Sequence, residues 1–338
     1  MSDGMKLKVK NESDLVLKLR SKKFQRNLLI VLFVAIPLIL LLTFTYFPFA
    51  QMVGFSFYKM KYVGEKTFVG LKNYIDVFKR DDCFGALKLS IYYMFGSIVQ
   101  LAIALYLATL LSFKVTGGKV FKGLMFFPYL INGIAVGFIF KFFFTRGFVL
   151  DTVLSWCGFN MENLPYWLKD QAINNISLVG TSVWRYFGQN MVLFIGAIMS
   201  VDSEMYEAAY LDGANKFQQF LYIILPNIRT IVVLNVILSI TGSLSAFEPP
   251  YVITSGANGT GTYFVIMHEI AHTNQKVGLA SAMAVVLLII ILFCTLLQKL
   301  FFKYVFREAD DDMYSGREVR SIKRKRAVSK KKKGGLGV

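Results

Sequence analysis

Six long apolar stretches constrain what this chain can fold into more than any other feature. Each approaches the roughly 20 residues that an α-helix needs to cross the hydrocarbon core of a bilayer. They run from Leu28 to Phe47, Leu89 to Phe113, Leu124 to Phe144, Ile176 to Met199, Ile228 to Phe247 and Leu279 to Phe302. Hydrophobic residues make up 55% of the chain, above the roughly 45 to 50% of ordinary soluble domains. We therefore predict an all-α, polytopic membrane protein with six transmembrane helices.

Lysine and arginine residues cluster outside these stretches and predict the orientation of the chain. The formal net charge of +17 would suit a nucleic-acid partner if it were spread over a surface, but it is concentrated at the two ends and in one short loop. The tail before Leu28 carries eight basic residues, and the chain from Lys299 onward carries thirteen. The positive-inside rule places both termini in the cytoplasm, although the basic loop from Lys59 to Arg80 is an exception to it. We predict an uncleaved, multi-pass protein of a bacterial plasma membrane.

The chain divides into three predicted parts. Residues 1–27 form a basic tail, in which leucine and valine alternate with lysine and arginine from Leu15 to Lys23. This tail suits either an interfacial helix on anionic lipid or a solvated tail. Residues 28–306 form the six-span domain, which includes a cytoplasmic loop at residues 200–227. Residues 307–338 form a basic, low-complexity tail that we expect to be disordered and cytoplasmic.

The loop between the fourth and fifth apolar stretches begins with signals for a short helix. Asp202 or Ser203 can cap its N-terminus, because a short polar side chain accepts a hydrogen bond from a free backbone N–H there. Glu204 and Glu207 place negative charge near the positive end of the helix dipole. With a cytoplasmic N-terminus, this loop faces the cytoplasm.

The rest of this loop predicts a surface that another protein can approach. Ala208 and Ala209 have short side chains, so another protein can approach that face of the helix closely. Gly213 permits the reversal of the chain that ends the helix. A second amphipathic piece, Phe217 to Ile224, leads into Pro226, which can begin the next span without loss of a helical hydrogen bond. The alternative is a loop that only returns the chain to the membrane.

The loop residues resemble a known signature. The pattern is Glu-Ala-Ala, three residues, Gly, nine residues, Ile, one residue, Leu-Pro, and it resembles the cytoplasmic loop of permease subunits of binding-protein-dependent ABC importers. It comprises Glu207, Ala208, Ala209, Gly213, Ile223, Leu225 and Pro226. Other segments resemble the sugar-importing branch of that family: residues 68–74, Phe126-Phe127-Pro128, Trp184 with Gly188, and residues 278–282. One departure is Val201-Asp202, where the family usually has Ile-Pro.

The resemblance implies a type I ABC importer permease fold, a transport subunit rather than an enzyme, and a set of partners. The short helix would dock on an ATPase through Glu207, Ala208, Ala209, Asp212, Gly213 and Ala214. The partners would be two cytoplasmic ATPase subunits, a second homologous permease, an extracellular sugar-binding lipoprotein and membrane lipids, without nucleic acid. No Gly-x-x-x-x-Gly-Lys-Ser/Thr phosphate loop occurs in the sequence. We therefore expect no cofactor in this chain, with ATP and magnesium bound by the partner ATPase.

Polar residues inside the fourth and fifth apolar stretches indicate a lined passage, because such residues are costly in a membrane. The resemblance selects a subset by register and implies that an oligosaccharide passes them. This subset comprises Ser182, Arg185, Tyr186, Gln189, Ser239, Gly242 and Ser243. Glu248, a polar residue near the outer end of the fifth stretch, completes the eight predicted passage residues. The small residues among them can equally serve helix packing. Arg185 needs a cavity, a carboxylate or the interface, and we predict Glu248 as its partner.

A second functional class also needs consideration. His268-Glu269-Ile270-Ala271-His272 matches the His-Glu-x-x-His motif of zinc metalloproteases, and it contains the only two histidines of the chain. A catalytic zinc needs a third protein ligand, and the next carboxylate along the chain is Glu308, beyond the last span. An intramembrane metalloprotease is therefore the alternative to transport, and no metal is expected at this motif.

Overall fold

The structure, a computed structural model, describes residues 22–113 and 115–313 of the chain. The amphipathic segment predicted from Leu15 onward falls mostly before this range, and the final lysine run falls after it, so both predictions lie outside the described residues. The described chain is predominantly helical, with one short hairpin and several connecting loops. This confirms the predicted all-α class.

The described residues form fourteen α-helices, which are numbered in chain order. They are α1 Lys22–Leu41, α2 Phe47–Phe55, α3 Lys72–Phe78, α4 Asp81–Ser112, α5 Gly118–Leu130, α6 Gly133–Phe144, α7 Val149–Trp156, α8 Asn174–Met199, α9 Ser203–Leu211, α10 Lys216–Gln219, α11 Leu225–Leu244, α12 Glu248–Thr254, α13 Tyr263–His272 and α14 Val277–Met313. Two π-helical turns occur at Leu42–Tyr46 and Phe220–Ile224, and a 3₁₀ turn at Met161–Asn163. Strands β1 Tyr58–Lys59 and β2 Thr67–Phe68 pair antiparallel, with Tyr58 opposite Phe68. Helix α14 continues seven residues past the predicted end of the six-span domain at residue 306.

Four described helical segments are long and apolar enough to cross a membrane. They are Leu29–Phe55, Asp81–Ser112, Lys216–Thr254 and Val277–Tyr304. A fifth crossing results if α5 and α6 are counted together. The remaining predicted crossing, the fourth stretch from Ile176 to Met199, is α8, which has 26 residues and is long enough at about 1.5 Å per residue. Its polar side chains, which include Arg185, Gln189 and Asn190, keep it out of the apolar set.

The span predicted from Leu124 to Phe144 is broken in the structure. Helices α5 and α6 meet at 97°, and the break lies at Ile131 and Asn132. Asn132 caps α6, because its side chain accepts a hydrogen bond from the Ile134 N–H at 2.9 Å. Pro128 stands in the last turn of α5 and has no N–H to give to that helix. The apolar composition of this segment conceals a capped helix start in its middle.

Pro226 stands in the first turn of α11, as predicted, but that helix does not begin from a loop. The chain is helical without interruption from Lys216 to Leu244, and Pro226 follows a π-helical turn in which the Leu225 N–H reaches back five residues to the Phe220 carbonyl. Pro48 repeats the arrangement, since the Phe47 N–H bonds to the Leu42 carbonyl just before it. A π turn inserts one extra residue and so relieves the clash between a proline ring and the preceding turn. Both prolines are therefore accommodated inside long helices.

Helix α8 lies at the centre of the described bundle and contacts α4, α5, α6, α11 and α12. One buried cluster joins α4, α8 and α11 through Ala104, Met191, Phe194 and Ile228. A second joins α3, α4, α13 and α14. The bundle therefore holds its most polar long helix in the middle, where neighbouring helices rather than lipid can surround the polar side chains.

Candidate functional site

An open cavity of about 430 Å³ lies between α4, α8, α11 and the start of α12. Seven of the eight predicted passage residues line it: Ser182, Tyr186, Gln189, Ser239, Gly242, Ser243 and Glu248. The lining also includes Asn190, Asn235 and Ser245 from the same segments. The cavity therefore presents hydroxyl and amide groups within a lining whose larger part is apolar.

Arg185 is the predicted residue that does not line the cavity. Its guanidinium forms an ion pair with Glu248, donates from the same nitrogen to the Tyr186 hydroxyl at 3.1 Å, and lies 5.0 Å from the centre of the Tyr186 ring. The predicted partnership with Glu248 is confirmed. Gly133, the first residue of α6, lies against this pair, and an added Cβ there would overlap both charged side chains. The pair thus joins α8, α12 and the break between α5 and α6.

Breaking this ion pair from one side should be more harmful than removing both charges. Arg185 is largely buried and its Nε has no hydrogen-bond partner among the described residues. A Glu248→Gln change therefore leaves a buried charge without its counter-ion. We expect the Arg185→Met/Glu248→Gln double variant to unfold at a higher temperature than the sum of the single effects predicts, with a coupling energy of at least about 1 kcal/mol. Thermal unfolding in detergent measures this, and additive single effects would contradict the account.

Helix α4 supplies cavity residues that sequence reasoning missed. Tyr93, Gly96, Ser97 and Gln100 line the cavity, and Tyr93 and Gln100 are buried. Their spacing of three, one and three residues places them on one helical face. This polar face within the second apolar stretch is the sequence signal that could have identified these cavity residues. The Tyr93 hydroxyl has no hydrogen-bond partner among the described residues and is therefore available inside the bundle.

The predicted short helix in the loop at residues 200–227 is α9. Asp202 caps it, and its side chain accepts from the Glu204 N–H at 3.1 Å. Gly213 adopts a left-handed conformation with φ of +76°. The Gly213 N–H bonds to the Tyr210 carbonyl at 3.1 Å, and the Ala214 N–H bonds to the Ala209 carbonyl at 2.9 Å. These paired bonds form a Schellman end, which closes the last carbonyls of a helix and normally needs glycine.

The surface of α9 and the following turn exposes several large apolar side chains beside acidic ones. Tyr210 and Leu211 are 76% and 84% exposed, and Phe217 and Tyr222 are also open. Glu207 and Ala208 share this exposed segment. Large apolar side chains in one solvent-accessible patch indicate a protein contact.

The other side of this loop is attached to the bundle. The Tyr206 ring packs edge-on against Phe113, just past the end of α4, at 6.0 Å between centroids. The ammonium group of Lys216 lies 4.6 Å from the centre of the same Phe113 ring. Ile223 and Ile224 are buried in the turn that leads into α11. The exposed helix is therefore anchored to α4 and α11, the two helices that supply much of the cavity lining.

The His-Glu-x-x-His segment forms α13, and its histidine rings are 4.4 Å apart between centroids. Within residues 22–113 and 115–313, no group of three or more histidine, cysteine, aspartate or glutamate side chains could hold a metal ion. The rings pack instead against Tyr62, Phe247 and Tyr251. Burial, followed by the nearby His272 ring, lowers the pKa of His268. The metalloprotease alternative has no support in this geometry.

The chain is similar in sequence to a protein family and to individual bacterial proteins. The family model of binding-protein-dependent transport system inner membrane components matches residues 100–307. The probable ABC transporter permease protein YurN of Bacillus subtilis is 32% identical over 285 residues, which cover 82% of this chain and 97% of that protein. The arabinooligosaccharides transport system permease protein AraP of Bacillus subtilis is 30% identical over 273 residues, covering 79% and 86%.

A solved structure shows the same fold. It is a chain of a bacterial alginate ABC transporter in complex with an alginate pentasaccharide-bound periplasmic protein, with a TM-score of 0.70 at 18% identity, and the match covers 85% of this chain and 98% of that one. The family model spans more than half of the chain, and the two bacterial permeases match most of it. The chain therefore belongs to the family of binding-protein-dependent transport system inner membrane components, as a multi-pass permease subunit of an ABC transporter rather than an enzyme.

Proposed function

We propose that this permease passes an oligosaccharide from an extracellular binding protein into the cytoplasm. The observation that carries the proposal is the cavity lining, in which neutral hydroxyl and amide groups stand inside a membrane bundle. Polar groups at such depth are costly unless they face a cavity or a partner. Saccharide hydroxyls are suitable partners, since they both donate and accept hydrogen bonds. The name of the similar AraP permease, which refers to arabinooligosaccharides, supports the same substrate class.

We propose that the transport is driven by a separate pair of cytoplasmic ATPase subunits, which bind ATP and Mg²⁺. With both termini in the cytoplasm, α9 faces the cytoplasm and α12 and α13 lie at the outer side. Glu207, Ala208, Ala209, Asp212, Gly213 and Ala214 would form the contact with the ATPase. The exposed apolar surface at Tyr210 and Leu211 supports this role. A movement of α9 would reach the cavity through the contact between Tyr206 and Phe113.

A second, homologous permease would complete the pathway. The cavity of this chain is only partly enclosed by its own helices. The first apolar segment, Leu29–Phe55, has none of its most apolar window buried within this chain. That segment is therefore available to contact lipid or the second permease. The family description and the alginate transporter complex support a binding protein as the partner on the outer side.

The test of this proposal is saccharide-stimulated ATP hydrolysis by the assembled transporter. The chain is purified with its candidate ATPase, second permease and binding protein, and is given maltotriose, arabinotriose or diacetylchitobiose. We expect stimulation that requires both the binding protein and at least one of these saccharides. Amino acids and short peptides serve as controls. Stimulation by a peptide or an amino acid, and by none of the saccharides, would contradict the substrate class.

A further inference from the structure

A row of five rings in consecutive contact leads from an exposed loop to the cavity. Tyr62, in the loop between β1 and β2, stacks on His272 with 5.6 Å between ring centroids. His272 contacts His268 at 4.4 Å, and His268 contacts Tyr251 at 4.8 Å. Tyr251 stacks on Phe247 at 4.7 Å, and Phe247 lines the cavity. We call these five side chains the ring row.

The ring row is accessible to a ligand. Tyr62 and Tyr251 are 55% and 41% exposed, and His272 is exposed, so the row is not a sealed core. The Tyr62 hydroxyl hydrogen-bonds to His272 Nδ1 at 2.9 Å, which fixes the far end of the row. Within the described part of the chain, the Tyr251 hydroxyl and both ring nitrogens of His268 make no hydrogen bond to protein. Polar atoms therefore stand at the edges of an apolar surface.

This combination matches the chemistry of a sugar. A saccharide ring carries C–H groups on its faces, which pack on aromatic rings, and hydroxyl groups at its edge, which bond to polar side-chain atoms. The row continues into the cavity at Phe247 and Glu248. A ligand bound to the row can therefore move directly into the passage. Burial lowers the pKa of His268 and so favours its neutral ring near pH 7.

We propose that the ring row is a binding strip for neutral oligosaccharides at the outer mouth of the permease, along which the sugar moves into the cavity. This inference rests on the proposed function, since it assumes that the cargo is a saccharide and that α12 and α13 face outward. The continuity of the row with the cavity argues for a sugar as its occupant. A surface of the binding protein is the competing occupant, and the experiment separates the two.

The experiment compares removal of the rings with their conservative replacement in the complete transporter. The ring-removing variant is Tyr251→Leu/His268→Leu, and the ring-keeping variant is Tyr251→Phe/His268→Phe. Uptake of maltotriose, arabinotriose and diacetylchitobiose into proteoliposomes is measured together with ATP hydrolysis, at saturating binding protein. We expect ring removal to lower uptake per ATP about tenfold, because a ring contact contributes roughly the free energy that corresponds to a tenfold change in affinity. The ring-keeping variant should lose clearly less uptake than the ring-removing variant, because it keeps the ring contacts and loses only the polar edge atoms of Tyr251 and His268.

Trp156→Leu is the matched control, because Trp156 is an aromatic residue 80% exposed on α7 that belongs neither to the row nor to the cavity lining. It should leave uptake unchanged. Equal losses in the ring-removing and ring-keeping variants would overturn the strip, as would full recovery of uptake at a higher concentration of binding protein, which would make the row a docking surface. If the ring-removing variant takes up saccharide at the wild-type level, the strip is overturned while the proposed function stands. If the wild type takes up none of the saccharides, the proposed function fails and the strip fails with it.

Discussion

Replacement of Gly213 by valine should lower saccharide-stimulated ATP hydrolysis at least tenfold while the membrane bundle stays folded. Gly213 has a φ of +76° and no atom within 4 Å of the position of an added Cβ, so the substitution brings strain but no clash. A β-branched residue in the left-handed region costs about 1 to 2 kcal/mol. The least costly relief is loss of the Schellman end of α9, which would turn Tyr210 and Leu211 away from the ATPase. Stimulated hydrolysis by the purified complex is the measurement.

Two control variants separate this effect from general damage. Gly213→Asn should preserve coupling better than valine, because asparagine tolerates the left-handed region. Gly147→Val places the same residue at a φ of +78°, also with no atom within 4 Å, in the loop before α7. It should leave stimulated hydrolysis close to the wild-type level. Retention of coupling in Gly213→Val, or an equal loss in Gly147→Val, would contradict the assignment of α9 as the coupling helix.

Replacement of Gly188 by alanine should prevent stable folding of the permease. An added Cβ at Gly188 would overlap the backbone carbonyl of Met125 and the backbone nitrogen of Phe126. Backbone atoms cannot rotate away as a side chain can, so α8 would have to separate from α5. We expect a loss of at least about 3 kcal/mol of stability, at the upper end for overpacking. The yield of monodisperse protein and its thermal unfolding in detergent measure this.

The same helix offers a matched control. Gly196 also lies in α8, and an added Cβ there would have no neighbour within 4 Å. Gly196→Ala should be neutral or slightly stabilising, because alanine has the higher helix propensity. A Gly188→Ala variant that unfolds at the same temperature as Gly196→Ala would show that α5 and α8 are not in close contact.

The loop of α9 was the part most open to prediction from the sequence, because its signals are local. A carboxylate caps a helix start and a glycine caps a helix end through atoms only a few residues away. Asp202 and Gly213 do so in the structure. The partnership of Arg185 with Glu248 was predictable for another reason, since a buried cation in a membrane bundle has few stable partners.

The helix geometry inside the apolar stretches was not predictable in the same way. The break between α5 and α6 depends on Asn132 acting as a cap within a stretch that is apolar on average. The π turns before Pro48 and Pro226 replace a helix start with a local insertion, which apolar periodicity does not reveal. The cavity residues of α4 were missed because one polar face contributes little to the mean hydropathy of a long helix. Their alignment with α8 depends on tertiary packing.

The most direct test of the central claim is ATP-driven uptake of a labelled oligosaccharide. Proteoliposomes contain this chain with its ATPase and second permease, with ATP on the side of α9 and the saccharide-loaded binding protein on the opposite side. We predict that the labelled sugar accumulates only when both ATP and binding protein are present, and that Gly213→Val abolishes the accumulation. Hydrolysis of ATP without movement of any saccharide, or uptake that needs no ATP, would contradict the account.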